Sequence, residues 1–150
     1  MAADEASDRR GGERPAPAAA TTIQHTVAFY ETDAMGIVHH SNYVRFFELA
    51  RVRWLEEYDQ PYTAYVDQGL NFATTHVTAD YLASARFGDE LSVTTWLEWV
   101  RGASLRMGYR IECNGRLNVT GATEHAAVNA EGRVRRIPKE NRARLQRASG

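Results

Sequence analysis

The sequence has little of what disulfide-bonded, exported or nucleic-acid-binding proteins need. Cys113 is its only cysteine, so neither an intrachain disulfide nor a cysteine-based zinc cluster can form, and a reducing, cytoplasmic setting is expected. The first 20 residues contain no apolar stretch, so neither a secretory signal nor a membrane partner is expected. No basic block is longer than Arg135-Arg136, and 18 lysines and arginines stand against 19 aspartates and glutamates. Nucleic acid is therefore not an expected partner, because duplex binding needs a concentrated positive face.

The signatures of bound metals and nucleotides are also missing. The sequence has no HExxH run and no helical pair of histidines four residues apart, so no metal site is expected. A glycine-rich phosphate loop and a dinucleotide fingerprint are absent as well. We therefore expect a protein that works without a cofactor.

The chain has enough apolar sequence for one folded unit. With 150 residues, 43% of them hydrophobic, it can fill one core but not two. Residues 1–21 are rich in alanine, glycine, arginine, aspartate and proline and are predicted to form a disordered extension. Residues 22–150 are predicted to form a single domain.

The first part of this domain combines a strand with a long helix. Residues 23–30 alternate β-branched and aromatic side chains, which predicts a strand, and residues 31–36 break the pattern. Over residues 40–58, large apolar side chains recur at helical spacing. This helix would be roughly 27 Å long at about 1.5 Å per residue, and its apolar face makes it a central core element. The side chains of that face are Tyr43, Phe46, Phe47, Ala50, Trp54, Leu55 and Tyr58.

The second part is predicted to be a sheet. The spacing changes to a period of two, and Arg101-Gly102, Asn114-Gly115 and Glu131-Gly132 mark turns, with Asn-Gly a strong hairpin signal. Turns this short join antiparallel strands, so we expect a meander that curves over the helix in an α+β fold. The predicted strands are residues 72–82, 91–99, 104–113, 117–128 and 134–137.

Asp33 stands at the junction between the first strand and the helix. A carboxylate there can attack a substrate or activate water, and the first turn of the helix supplies unpaired N–H groups that stabilise an oxyanion. The ordinary alternative is that Asp33 caps the helix or forms an Asx turn, since threonine and aspartate often precede helices for that reason.

The segment around Asp33 resembles a known family. Thr32-Asp33, Gly36-Ile37-Val38, Asn42-Tyr43, Phe46-Phe47-Glu48 and Ala50-Arg51 look like the signature of hotdog-fold acyl-CoA thioesterases of the 4-hydroxybenzoyl-CoA thioesterase and YbgC type. Tyr81-Leu82 and the run from Ala85 to Leu91 resemble a second stretch of that family. The resemblance implies a hotdog fold, in which an antiparallel sheet of about five to six strands wraps around one long central helix. It also implies hydrolysis of an acyl-CoA thioester and a homodimer or homotetramer with active sites at the subunit interface.

The same resemblance assigns roles to the junction residues. Asp33 is implied to be the catalytic carboxylate, as nucleophile or as general base. The backbone N–H of His40 is implied to donate to the thioester oxygen, and Gly36 to let the backbone approach the ligand closely. Asn42 and Tyr43 are implied to orient the reacting groups of this site without reacting themselves. A departure is His39, where many YbgC-type members have an aromatic residue.

Other charged and histidine side chains could also bind the substrate or take part in the reaction. Arg101 and Arg86 are the candidates for binding coenzyme A phosphates, with Arg135 and Arg136 as alternatives. Glu48 lies inside the predicted helix, so we expect it to pair with a neighbouring arginine, Arg51 or Arg45. His76 and His125 are expected to be hydrogen-bonded strand residues rather than active groups.

Two other functions remain open at this point. The protein can be a thioesterase that releases an acyl or polyketide chain from an acyl carrier protein. It can also be a non-catalytic acyl-CoA-binding hotdog domain, although the presence of Asp33 argues against that.

Overall fold

The computed structural model describes residues 17–149, which form one antiparallel sheet and three helices. The strands are β1 (Ala20–Thr26), β2 (Asn71–Tyr81), β3 (Glu90–Val100), β4 (Ser104–Cys113) and β5 (Arg116–Val128). The helices are α1 (Ser41–Tyr58), α2 (Tyr62–Asp67) and α3 (Lys139–Ala148). The predicted α+β class with an antiparallel sheet agrees with this arrangement. No helix among these described residues is long and apolar enough to cross a membrane.

The five strands lie in the order β1-β3-β4-β5-β2, and every neighbouring pair is antiparallel. Strands β3, β4 and β5 form the expected meander, and both residues of the Asn114-Gly115 turn have positive φ, as a type I′ hairpin requires. The prediction of a simple meander is wrong for β2, which pairs with β5 and not with the strand that follows it. Residues 82–89 therefore cross one end of the sheet, where they form part of the candidate site.

Helix α1 lies against β1 and β3 and fills the core. The Phe47 ring stacks on the ring of Tyr109 in β4, with centroids 4.2 Å apart. A Cβ atom on Gly121 would lie 2.7 Å from the Phe47 ring and 2.6 Å from the Thr78 carbonyl oxygen, so β5 needs glycine there. Each fully buried large side chain contributes on the order of 1.5–3 kcal/mol, so the aromatic face of α1 is a main source of stability.

Two predicted boundaries at the start of the chain differ from the structure. Strand β1 ends at Thr26, and residues Phe29–Glu31 form a 3₁₀ turn instead of continuing the strand to residue 30. The Glu31 carboxylate accepts a hydrogen bond from the Ala28 N–H at 2.7 Å, which turns the chain. β1 also begins at Ala20, before the domain boundary predicted at residue 22. Residues 1–16 of the predicted extension lie outside the described residues.

The end of the chain also differs from prediction. Residues 134–137 form no strand; Val134 makes only an isolated bridge with Val128. Helix α3, which the sequence patterns did not predict, follows and buries Asn141 and Leu145. The polarity of α3 explains the omission, because two buried residues in ten give a weak helical signal.

Candidate active site

Asp33 lies at the neck of a tight loop that joins the 3₁₀ turn to α1. A bridge between Thr32 and Val38 closes this loop, and the Asp33 N–H donates to the Ile37 carbonyl at 2.9 Å. The Gly36 N–H donates back to the Asp33 carbonyl at 2.9 Å, with Gly36 at φ +79°. Because L side chains rarely adopt that φ, glycine allows the loop to be this short.

The two oxygens of the Asp33 carboxylate have different surroundings. Oδ1 accepts a hydrogen bond from the Met35 N–H at 2.8 Å, which is the Asx turn expected of an ordinary loop aspartate. Oδ2 has no hydrogen-bond partner among residues 17–149. The turn therefore holds the carboxylate in place and leaves one oxygen available for a proton or an electrophile.

The N-terminus of α1 carries an unused donor near this carboxylate. The Ser41 N–H donates to His39 Nδ1 at 3.2 Å, and the Asn42 N–H donates to the His39 carbonyl at 2.9 Å. The backbone N–H of His40 has no acceptor within the described part of the chain. Such a donor at the positive end of an 18-residue helix suits a developing negative charge.

A cavity of about 330 Å³ brings these groups together. The Asp33 loop and the start of α1 form one wall, and residues 81–84 form the other. Most of the lining is apolar, which lowers the local dielectric and strengthens any interaction with charge inside it. The lining residues are Asp33, Met35, Ile37, Val38, His40, Tyr43, Tyr81, Leu82, Ala83 and Ser84.

The second wall depends on Asn118, which the sequence did not single out. This fully buried residue donates from Nδ2 to the Ser84 carbonyl at 3.1 Å and to the Ala83 carbonyl at 3.4 Å. The backbone carbonyl of Asn118 accepts hydrogen bonds from the N–H groups of Leu82 and Ala83 at 2.8 and 3.1 Å. Asn118 of β5 therefore holds residues 82–84 in place. These residues lie beside Asn118 because residues 82–89 cross the end of the sheet.

The supporting residues named from the sequence lie in different places. Tyr43 lines the cavity, and burial raises the pKa of its hydroxyl above the ordinary value, against the opposing effect of a hydrogen bond with the Ala85 backbone. Asn42 is buried behind the loop and donates from Nδ2 to the Glu31 carbonyl at 2.8 Å. Tyr43 is thus part of the pocket, whereas Asn42 contacts the backbone that leads to Asp33.

The two arginine candidates lie at opposite ends of the sheet. Arg86 Nη1 donates to the Gly36 carbonyl at 3.4 Å, so this guanidinium lies on the Asp33 loop. Arg101 stacks over the Trp99 ring at 4.0 Å, in the turn at the far end of β3. A further cation, Arg116, reaches the cavity wall by donating to the Ser84 carbonyl at 3.1 Å. Within one chain, the structure brings Arg86 and Arg116 to the site and leaves Arg101 distant.

The remaining candidates have structural contacts. Glu48 is exposed and pairs with Arg51 at 3.5 Å, as expected. His125 is fully buried and hydrogen-bonded to Thr123 Oγ1 at 2.7 Å, which confirms its reading as a satisfied strand histidine. His76 is an exposed residue of β2. In residues 17–149, no three His, Cys, Asp or Glu side chains are grouped as a metal ion would require.

A five-stranded antiparallel sheet packed on a long helix, with a carboxylate loop at the helix N-terminus, defines a hotdog-type domain. Residues 27–145 match the thioesterase-like superfamily, and the chain belongs to this family. The predicted enzyme class, a thioester hydrolase, is confirmed at this level.

Curated relatives and a solved structure are similar to most of this chain. A protein of Haemophilus influenzae named acyl-CoA thioesterase YbgC is 32% identical over 120 residues, covering 78% of this chain and 88% of the relative. A protein of Aquifex aeolicus named putative esterase is 35% identical over 114 residues, covering 76% and 88%. The crystal structure of a hypothetical protein from Thermus thermophilus superposes with a TM-score of 0.82 at 33% identity, covering 87% of this chain and 98% of the other.

Proposed function

We propose that this protein hydrolyses an acyl-CoA thioester to a free acid and coenzyme A, with Asp33 as the catalytic carboxylate. The observation that carries the proposal is that Asp33 and His40 line one largely apolar cavity, and that among residues 17–149 Asp33 Oδ2 has no hydrogen-bond partner and the His40 N–H has no acceptor. Thioester hydrolysis needs these two groups: one that attacks or activates water, and one that stabilises the negative oxygen of the tetrahedral state.

Two routes use the same geometry. As a general base, the Asp33 carboxylate takes a proton from water while the water oxygen bonds to the carbonyl carbon. The C–S bond then breaks, and the proton passes to the leaving thiolate. As a nucleophile, Asp33 Oδ2 bonds to the carbonyl carbon and expels the thiolate, and water then cleaves the resulting anhydride. In both routes the His40 N–H stabilises charge that develops only in the transition state.

The ends of the substrate have different requirements. The apolar lining that includes Ile37, Tyr43 and Leu82 suits the acyl chain. Arg86 and Arg116 suit the coenzyme A phosphates, because one guanidinium donates to the Asp33 loop at Gly36 and the other to the lining residue Ser84. Arg101 can contribute only if a second copy of the chain brings it to the site.

We also propose that the protein acts as a homodimer or homotetramer in the cytoplasm. Strand β2 lies at an edge of the sheet, and Leu49 and Val52 on α1 are 51% and 37% exposed. An unpaired strand edge and exposed apolar helix residues both suit a second subunit. Size-exclusion chromatography with light scattering tests this, and a monomer at micromolar concentration would contradict it.

A substrate panel tests the activity. Purified protein is assayed with benzoyl, short-chain and long-chain acyl-CoA and with the same acyl groups on an acyl carrier protein, and the free acid and thiol are both measured. We expect hydrolysis of at least one acyl-CoA at a higher kcat/KM than its carrier-protein counterpart. Higher rates on the carrier protein would assign the substrate to that class instead. Binding of acyl-CoA with no hydrolysis of either class would make the protein a binding domain.

A further inference from the structure

Glu31 is a nearly buried carboxylate that neither lines the cavity nor takes part in the proposed chemistry. Its side chain is only 7% exposed. Oε1 accepts the Ala28 N–H at 2.7 Å and lies 2.9 Å from His25 Nε2, while Oε2 lies 3.2 Å from the same nitrogen. The carboxylate therefore ties the end of β1 to the 3₁₀ turn.

The backbone carbonyl of the same residue holds the start of α1. It accepts the His39 N–H at 2.9 Å and the buried Asn42 Nδ2 at 2.8 Å. Asp33 follows Glu31 by two residues, and His40 follows His39 directly. The proposed catalytic carboxylate is thus two residues from Glu31, and the proposed oxyanion donor is one residue from an N–H that the Glu31 carbonyl binds.

His25 closes this connection on the other side. Its ring lies against the ring of Phe46, a core residue of α1, with centroids 4.4 Å apart. A buried carboxylate is costly unless it is well bonded, and an apolar residue is often at least as stabilising in its place. What the carboxylate provides and an apolar residue does not is directional bonding between β1 and the 3₁₀ turn, and the backbone carbonyl of that turn holds the start of the helix.

We propose that the His25–Glu31 pair is a positioning clamp for the active site. It fixes the Asp33 loop relative to the His40 N–H without touching the substrate. This inference rests on the proposed function, in which those two groups act on one thioester carbonyl. Because a displacement of about 1 Å can lower a rate by about 10²-fold, loosening the clamp lowers kcat and leaves substrate binding largely unchanged.

The test compares Glu31→Ala with Glu31→Gln and with a matched control. The glutamine can still accept from the Ala28 N–H and donate to a neutral His25 ring, whereas alanine loses both bonds. We expect Glu31→Ala to lower kcat about 10- to 100-fold with KM within twofold of wild type, and Glu31→Gln to recover most of kcat. His25→Phe, which keeps the ring against Phe46, is expected to lower kcat at least fivefold and provides a second test if Glu31→Ala does not fold.

Asp59 provides the control because it too is a carboxylate with a buried side chain, at the opposite end of α1. It accepts hydrogen bonds from Arg144 Nε at 2.9 Å, from Asn141 Nδ2 at 3.0 Å and from the Tyr65 hydroxyl. Asp59→Ala is expected to lower the melting temperature with kcat within twofold of wild type. Equal losses of kcat in Asp59→Ala and Glu31→Ala, or unchanged kcat in both Glu31→Ala and His25→Phe, would overturn the clamp.

Amide hydrogen exchange separates this inference from the proposed function. Glu31→Ala is expected to increase exchange at least tenfold at the hydrogen-bonded amides of Asp33, Gly36, Val38 and His39, and Asp59→Ala to leave those amides unchanged. If the wild type hydrolyses no thioester, the proposed function fails while the exchange measurement still tests the clamp. If the wild type is active and neither exchange nor kcat changes in Glu31→Ala, only the clamp fails.

Discussion

His125 gives the protein a specific sensitivity to mild acid. The imidazole is fully buried, with Nε2 at 2.7 Å from Thr123 Oγ1 and Nδ1 at 3.2 Å from Thr74 Oγ1. Burial, followed by the positive charge of Arg51, lowers the pKa of His125 to about 3. The folded protein therefore keeps this ring neutral at every pH at which it is expected to be stable.

The lower pKa of His125 in the folded protein makes the free energy of unfolding depend on pH. An unfolded chain protonates His125 below its ordinary pKa of about 6.5, and the folded chain does not, so the stability that is complete above pH 6.5 falls as the pH approaches 3. One proton changes the free energy of unfolding by about 1.4 kcal/mol per pH unit. At pH 5, His125 alone accounts for a loss of about 2 kcal/mol relative to pH values well above 6.5.

Urea denaturation at pH 5, 6 and 7 measures this contribution. Other groups also titrate, so the useful quantity is the difference between wild type and His125→Gln. We expect the variant to be less stable at pH 7. Below pH 6, its free energy of unfolding should fall less steeply with decreasing pH than that of the wild type, by about 1.4 kcal/mol per pH unit. His76→Gln, an exposed change on the neighbouring strand β2, serves as the control and should keep the wild-type slope. A wild-type slope in His125→Gln, or an NMR titration of the His125 ring near pH 6.5, would refute the reasoning.

Two further predictions concern the walls of the cavity. Gly36→Ala places a side chain at φ +79°, which costs about 1–2 kcal/mol and shifts the Asp33 loop, so kcat should fall about tenfold in steady-state assays. Gly69→Ala has the same strain at φ +77° with no atom within 4 Å of the new Cβ, and should lose similar thermal stability with kcat unchanged. Asn118→Ala removes both Nδ2 hydrogen bonds to residues 83 and 84, so it should raise KM severalfold and lower the unfolding free energy by about 1–3 kcal/mol in urea. A KM within twofold of wild type would show that Asn118 does not shape the pocket.

Much of the fold could be predicted because local patterns encode it. The aromatic spacing of α1 and the positive-φ pair Asn114-Gly115 are local signals, and both predicted the observed elements. The pairing of β2 with β5 is not local. Nothing in residues 82–89 indicates that β2 pairs with β5 instead of with β3, the strand that follows it in the chain. Helix α3 is too polar for its two buried residues to be recognised.

The residues of the candidate site also divide into those with a local sequence signal and those without one. Asp33, His40 and Tyr43 belong to one continuous segment, and the structure places all three on one cavity, although their roles stay predictions. Asn118 reaches the site from another strand, and Glu31 has its effect through hydrogen bonds that only the folded backbone defines. The turn sequence predicts Arg101, and the length of β3 places that turn at the end of the sheet away from Asp33, so its role stays a prediction.

The central claim is that the Asp33 carboxylate carries out the hydrolysis, and Asp33→Asn tests it most directly. Asparagine can still accept the Met35 N–H through its Oδ1, so the loop should be retained and the melting temperature should stay close to wild type. On the best substrate of the panel, we expect kcat/KM to fall by about 10²- to 10⁴-fold, the usual contribution of a general base, while exposed Asp67→Asn remains within twofold of wild type. Wild-type kcat/KM in a correctly folded Asp33→Asn variant would contradict the account.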